Sequence, residues 1–481
     1  MRKMTSGCQV VKMSEMAFGR LNLSFIMAAC APIVLAILLI YWPAATAALI
    51  APLTAILFLM FAFSFAKVSD GGVTQPASLL LLSVSLGYFG KLVYVLSGYG
   101  ESDIIEQHLL LGKGLLGLEL GAEVIAVSTG AFLLAYVLPR NHEYATPVYI
   151  RHWFSYKRAF NAGLTLFFFS TVCFALYVFY YGGDADLSSK RFGGEGMEPS
   201  SRFKEFTYYL FKGALLIKIA LYVFLLGSFF CETKLRQRAS FFFFLLSIIV
   251  FLLLSSYFSN RAGVLVVMLD VLIISYLVVG GIKFSSLLAI VGSGFAFIVA
   301  VSSFRSDYGS QKSIWEHIFG GRYFFELSRN THLFEYFSAN NFLPTGDSGL
   351  LGAVKQYINL GRLSGEQVFF MNNSGVPLGF PIEMFALGGM PMLMVAMFGL
   401  GLLARQVCKF VARETACDYK IVIYSILTTR IMIYMFNNGI GVTTYQILID
   451  LVPFLLIVIF VKSSANSVIR ANKKNIIMDV T

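Results

Sequence analysis

The chain has 481 residues, of which 57% are apolar and only 13% are charged. An average soluble protein carries about twice that share of charged residues, so the composition excludes a soluble globular domain. The net charge of +11 does not indicate nucleic-acid binding, because surplus lysine and arginine in a membrane protein usually mark the loops kept in the cytoplasm.

Apolar runs of about twenty residues, the length of a membrane-crossing helix, recur along the whole chain. They predict an all-α polytopic membrane protein with twelve crossings. These crossings are predicted near 22–42, 44–66, 76–97, 114–138, 159–181, 207–230, 240–258, 262–281, 284–304, 379–404, 421–436 and 445–461. A smaller outside loop, 182–206, lies within the first nine crossings (1–304). A long outside loop, 305–378, precedes the last three crossings and the tail (379–481).

The distribution of lysine and arginine predicts which side each loop faces. If both termini lie in the cytoplasm, the inside segments hold 21 of these residues and the outside segments hold 11. The inside segments are also shorter in total, so the bias follows the positive-inside rule. Both termini are therefore expected to be cytoplasmic, and an outside loop as long as 305–378 is expected to be functional.

None of the six cysteines falls in a predicted outside loop, and no CxxC spacing is present. This pattern argues against a disulfide framework and against a cysteine metal site. The run MAAC, which ends at Cys30, resembles a lipoprotein cleavage site. The apolar run continues from there to Trp42, however, and predicts a retained first helix.

The segment GGRYFFELSRNTHLFEYFSANN (320–341) of the long loop predicts a helix with a charged face. Arg322, Glu326 and Arg329 recur at i, i+4 and i+7, and His332 follows three residues later. Such a stripe has two interpretations, a solvated face with ion pairs or a site for an anionic group. Guanidinium groups suit the second, because they bind phosphate oxygens through paired hydrogen bonds and stay charged at any pH.

Further arginines lie in or beside the outside loops. Arg305 directly follows the ninth crossing, Arg362 lies among glycines in NLGRLSGE, Arg191 belongs to the smaller loop, and Arg261 opens the eighth crossing. Each has an ordinary alternative as an interfacial anchor or a solvated loop residue. The two outside loops nevertheless hold ten lysines and arginines together, which is unusual for outside loops and favours an anionic ligand.

Arg430 lies inside an apolar run, TTRIMIYMF. A charge in such a helix costs at least about 2.5 kcal/mol and therefore tends to face a cavity or a partner. Asp270 and Asp450 also lie in predicted crossings and are the candidate partners. The sequence leaves both roles open for Arg430, structural pairing and substrate binding.

The stretch FFMNNSGVPLGFPIEMFALGGM (369–390) places one acid at the start of an apolar helix. Gly375, Pro377, Gly379 and Pro381 alternate before it, which an ordinary helix interior does not tolerate. One role open to the acid, Glu383, is to pair with a nearby arginine and stabilise this irregular segment. The other is a direct part in chemistry.

Three features within residues 255–440 resemble the O-antigen (Wzy-type) polymerases, which join oligosaccharide repeat units in bacterial envelopes. The run SNRAGVLVVMLDVLIISYL is similar to the family's small-Ser-Arg-Gly start of a central helix, with Asn260 before the arginine and Ala262 after it. The long outside loop with spaced arginines occupies the position of the family's catalytic loop. The run NNSGVPLGFPIEMFALGGMPMLMVAMFGLG resembles the family's Gly and Pro stretch, acid and Gly-rich helix.

The resemblance implies metal-independent glycosyl transfer, without a cofactor, on the periplasmic face of the bacterial inner membrane. The donor would be the growing glycan on undecaprenyl diphosphate, and the acceptor the terminal sugar of one lipid-linked repeat unit. The Gly/Pro kinks would re-enter the membrane and bring Glu383 to the outer mouth of a cavity. His332 or Glu383 would take the proton of the acceptor hydroxyl, with His332 favoured by its pKa range.

In this scheme, placed arginines stabilise the diphosphate leaving group. The candidates are Arg322, Arg329 and Arg362 in the long loop and Arg261 or Arg305 nearer the membrane, with Arg191 and Arg430 as further substrate-binding residues. The implied partners are membrane lipid, a polysaccharide chain-length regulator and a flippase, with no nucleic acid.

Three alternatives stay open. An O-antigen ligase shares the architecture and the lipid donor. A metal-dependent lipid-sugar glycosyltransferase would need paired acids in its first outside loop, which here is the short turn at Trp42–Pro43. A transporter or flippase fits twelve crossings, but it rarely needs an outside loop of over seventy residues.

Overall fold

The computed structural model describes residues 75–84, 116–137, 149–151, 155–181, 201–231, 233–257, 261–279, 292, 296, 379–411 and 415–461. Within these residues the secondary structure is almost entirely helical, with two strands of three residues each. The elements are α1 (Pro76–Val84), α2 (Leu116–Val137), β1 (Tyr149–Arg151), α3 (Tyr156–Tyr181), α4 (Ser201–Leu215), α5 (Ile217–Phe230), α6 (Lys234–Tyr257), α7 (Arg261–Val279), α8 (Phe380–Val411), β2 (Thr415–Cys417), α9 (Asp418–Thr429), a π-helical segment (Arg430–Met435) and α10 (Phe436–Val461).

The described helices are those of a membrane-embedded protein. Five of them are long and apolar enough to cross a bilayer. These spans are Tyr156–Phe179, Tyr209–Phe230, Lys234–Ser256, Phe380–Val411 and Gly439–Phe460. Their outward faces carry large apolar side chains, such as Phe179 (79% exposed) and Phe460 (76% exposed), which indicates contact with lipid.

The predicted all-α membrane class is therefore confirmed. The predicted number of twelve crossings stays a prediction, because several of those crossings lie wholly or largely outside the described residues. These are the predicted crossings near 22–42, 44–66, 76–97 and 284–304. The long loop 305–378 also lies outside them.

One end of the helical bundle is defined by the two strands and is called the strand end below. Strand β1 pairs in parallel with β2, with Tyr149 opposite Thr415. The backbone N–H of Ser155 donates to the carbonyl oxygen of Val461 at 3.2 Å. Residues 149–151, 155 and 415–417, which belong to segments predicted to share one compartment, therefore meet at the same end of the bundle as Val461.

Small residues allow the helices to approach closely, as is common in membrane bundles. In the contact between α2 and α8, a methyl group added at Gly401 would overlap the carbonyl oxygen of Phe132. In the contact between α3 and α5, a methyl group at Gly163 would lie 2.9 Å from the ring of Phe224. Glycine at these positions thus sets the distance between helices.

Three apolar segments are interrupted, and the third interruption corrects a predicted loop. The predicted crossing 207–230 corresponds to the span Tyr209–Phe230, in which α4 and α5 adjoin at Leu216. Helix α8 breaks at Gly388 and Gly389, where Gly389 has φ 64°. The predicted crossings 421–436 and 445–461 are joined without a loop, because the chain continues through the π-helical segment into α10 and changes direction at Gly439, with φ 77°.

Candidate functional site

Four ionisable side chains from different helical segments meet inside the bundle. Lys218 comes from α5, Asp270 from α7, Arg430 from the π-helical segment and Asp450 from α10. Their exposed fractions are 7%, 0%, 2% and 1%, respectively. These four residues are called the charge cluster below. Two cations face two anions, so the cluster is neutral when all four groups are ionised.

The guanidinium of Arg430 is held by both carboxylates. Its Nε and Nη2 donate to Asp450 Oδ2 at 3.0 and 2.6 Å, and its Nη1 donates to Asp270 Oδ2 at 2.5 Å. Nη1 also donates to Thr429 Oγ1 at 2.7 Å, and Nη2 to the hydroxyl of Tyr222 at 3.5 Å. The predicted pairing of Arg430 with Asp270 and Asp450 is confirmed.

Each guanidinium nitrogen of Arg430 therefore makes as many hydrogen bonds as it has hydrogens. A ligand could reach this guanidinium only by displacing a carboxylate or a hydroxyl. The geometry favours a structural role for Arg430 over the contact with substrate that was also open to it.

The remaining acceptors of the two carboxylates are also occupied. Lys218 Nζ lies 2.5 Å from Asp450 Oδ1. The hydroxyl of Tyr222 donates to Asp270 Oδ2 at 2.5 Å, and the hydroxyl of Thr429 donates to Asp270 Oδ1 at 2.6 Å. Such saturation is what makes a buried ion-pair network tolerable, because every ion loses its water on burial.

Helical spacing explains how two hydroxyl groups of α9 bind the same carboxylate, that of Asp270. Ser425 and Thr429 are four residues apart and so lie on one face of α9. Both hydroxyl oxygens approach Asp270 Oδ1, at 3.0 and 2.6 Å. The π-helical segment begins at the next residue, Arg430. Short π-helical segments are frequent at functional sites in helices.

A second site lies where the start of α8 meets the break in α10, and it is called the Glu383 site below. A methyl group added at Gly379 would overlap the carbonyl oxygen of Phe436, so the two backbones approach closely here. Four residues further on, Glu383 Oε2 accepts a hydrogen bond from the backbone N–H of Ile440 at 2.9 Å.

This bond has a clear physical reason. The break at Gly439 starts a new helical segment, and the first N–H groups of a helix lack partners within the helix. A carboxylate is a favourable acceptor there, because it also interacts well with the positive end of the helix dipole. This contact with a backbone amide was not among the roles predicted for Glu383, and those roles, pairing with an arginine or a direct part in chemistry, stay predictions.

The other predicted site residues cannot be placed in the same way. Arg191, Arg305, Arg322, Arg329, His332 and Arg362 lie outside the described residues. Arg261 is the first residue of α7, and only its backbone is among them. Their assigned roles stay predictions.

Sequence reasoning missed Lys218, Tyr222 and Thr429 as members of the buried network. For Lys218 a signal was present, because this lysine interrupts the apolar run GALLIKIALYVFLLG, where a charge needs a partner. Tyrosine and threonine are common in membrane helices, and nothing in the sequence distinguishes Tyr222 or Thr429 from others of their kind.

Comparison with protein-family models, with curated proteins and with solved structures finds no match for this chain. The resemblance of residues 255–440 to the O-antigen polymerases therefore stands on the motifs themselves.

Proposed function

We propose that this chain polymerises oligosaccharide repeat units carried on undecaprenyl diphosphate. The reaction is metal-independent glycosyl transfer on the periplasmic face of a bacterial inner membrane, and both termini are cytoplasmic. The observation that carries the proposal is the Glu383 site. It holds Glu383 at the point where the long, arginine-rich segment 305–378 joins α8.

The geometry of the Glu383 site suits an acid that takes part in the reaction. The hydrogen bond to Ile440 N–H fixes one carboxylate oxygen of Glu383 in place. The irregular backbone at Gly439, which Gly379 lies beside, is of the kind that membrane proteins tolerate where it lines protein or water. Arginines of the adjoining loop would then stabilise the departing diphosphate, as preorganised donors do in other group transfers.

A second candidate, a flippase or other transporter, is favoured by a different observation. Interrupted helices and ionisable groups within the membrane both mark substrate pathways in transporters. The charge cluster and the breaks in α8 and α10 fit that description. The saturated guanidinium of Arg430 weighs against it, because a translocation site needs groups that are free to exchange partners.

The test is the length of the envelope glycan, resolved on a gel, in a strain that lacks this chain. The strain is complemented with wild type, Glu383→Gln, Arg322→Ala or Arg329→Ala at matched expression. Glutamine keeps an oxygen that can accept from Ile440 N–H but removes the negative charge, so Glu383→Gln separates chemistry from capping.

We expect the deletion to leave a single repeat unit on the lipid core, and the three variants to fail to restore the ladder. Loss of even the single unit would assign the chain to an earlier or different step, as flippase or ligase. Full restoration by Glu383→Gln would reduce Glu383 to a helix cap. Full restoration by both arginine variants would reduce their helix to a solvated face.

A further inference from the structure

An apolar cavity of about 720 Å³ lies between α5, α6 and α7. This volume is within the usual range for small-molecule and lipid sites. Its wall on α7 is formed by a stripe that includes Val264, Val267 and Val271, on a different face of the helix from Asp270. The cavity is therefore separate from the charge cluster.

The cavity is long enough for an acyl chain. Its wall on α6 extends from Gln237 to Leu252, which corresponds to about 22 Å at 1.5 Å per residue. The hydrocarbon layer of one leaflet is only about 15 Å thick. Aromatic and aliphatic side chains, including Phe241, Phe244 and Ile248, line this length.

Positive charge is concentrated where the cavity reaches the first turns of α6. Arg238 lines the cavity, and Lys234 lies four residues earlier on the same face of the helix. Gln237, the other polar residue on this part of the wall, uses its amide to bind the carbonyl oxygen of Cys231 at 2.9 Å. Among the residues that the structure describes, Arg238 has no ion-pair partner and is exposed.

We propose that this cavity binds an anionic phospholipid, with one acyl chain between α5, α6 and α7 and the phosphate at Arg238. The charge distribution selects this occupant, because the site is apolar along its length and cationic at one end. The cationic end lies at the strand end of the bundle, next to the contact between Tyr156 and Phe230. It is thus remote from the Glu383 site, and the inference does not depend on the proposed polymerase activity.

The test is native mass spectrometry of the full chain purified in detergent. The protein is offered phosphatidylglycerol and phosphatidylethanolamine with identical acyl chains. We expect preferential retention of phosphatidylglycerol, reduced roughly tenfold by Arg238→Gln, since a charge-assisted hydrogen bond to phosphate is lost. The matched control is Arg236→Gln on the same turn of α6, which does not line the cavity and should change retention less than twofold.

A second variant tests the apolar part of the site. Ile248→Trp places a larger ring in the cavity and should abolish retention of both lipids in protein that remains monodisperse on gel filtration. Equal retention of the two lipids, or equal effects of the two arginine variants, would overturn the proposal. Displacement of phosphatidylglycerol by equimolar undecaprenyl phosphate would also overturn it, because the occupant would then be a polyprenyl carrier.

Discussion

Arg430 holds two carboxylates that would otherwise be buried with Lys218 as their single cation. Arg430→Met should therefore lower the free energy of unfolding by about 3–5 kcal/mol, the usual cost of removing one partner from a buried ion pair. Thermal unfolding in detergent, followed by the loss of monodisperse protein, would measure this effect.

The matched control is Arg158→Met, because Arg158 is exposed near the start of α3. Substitutions at exposed sites usually change stability by no more than about 0.5 kcal/mol. If the two variants unfolded at the same temperature, the carboxylates of the charge cluster would have to be neutral or hydrated, and the ion pairing described here would be wrong.

Individual residues differ in how far sequence could place them. Asp270 and Asp450 were predictable partners of Arg430, because unpaired charges are costly in apolar helices. The partner of Glu383 was not predictable, because the N–H of Ile440 loses its helical partner only through the break at Gly439. That break brings together positions 57 residues apart, and no local pattern records such a contact.

At the scale of the element, α10 depends on Gly439. Its φ of 77° and ψ of −179° belong to a region that is essentially restricted to glycine. Gly439→Ala should therefore destabilise the protein by about 1–3 kcal/mol and weaken the bond between Ile440 N–H and Glu383. The measurement is again the unfolding temperature in detergent, together with the glycan ladder of the complemented strain.

Gly441, two residues along the same helix, provides the control. A methyl group added there meets open space, and alanine favours helix over glycine by up to about 1 kcal/mol. Gly441→Ala should leave stability unchanged or slightly raised. Similar losses in both variants would show that the position, and not the backbone conformation at Gly439, is sensitive.

Element boundaries show where sequence patterns lose accuracy. The crossing 240–258 was predicted to start at residue 240, whereas α6 begins at Lys234. The reason is that the basic turn KLRQR is helical although it is not apolar. The segment NNGIGVTT (437–444) was predicted to separate two crossings. In the structure it forms part of α10, since one glycine with positive φ is enough to redirect the chain without a loop.

At the scale of the whole molecule, the strand end should face the cytoplasm. Basic residues are frequent there, as in Lys157 and Arg158 of α3 and Lys234 and Arg236 of α6, in agreement with the positive-inside rule. In intact cells that carry the chain with its six native cysteines replaced by serine, Thr233→Cys should react with a membrane-impermeant maleimide only after permeabilisation. Asn260→Cys, in the predicted turn between α6 and α7, should react without it. The reverse pattern would invert the orientation.

The membrane class was predictable from composition alone, since so few charged residues cannot cover a soluble protein of this length. The arrangement of the helices was not, because nearly every face of an apolar helix is compatible with lipid or with protein. Small residues decide between them at positions such as Gly401, where close contact with Phe132 requires a missing side chain.

The charge cluster also has a consequence for the order in which the chain is synthesised. Arg430 follows Asp270 by 160 residues, a delay of roughly 8 to 32 s at 5–20 residues per second. The part of the cluster made before Arg430 holds one cation, Lys218, and one anion, Asp270. Arg430 and Asp450, 20 residues apart, are then made together as a second pair of opposite charge. The cluster is thus assembled from two neutral halves, so that neither half brings a net charge into the bilayer during synthesis.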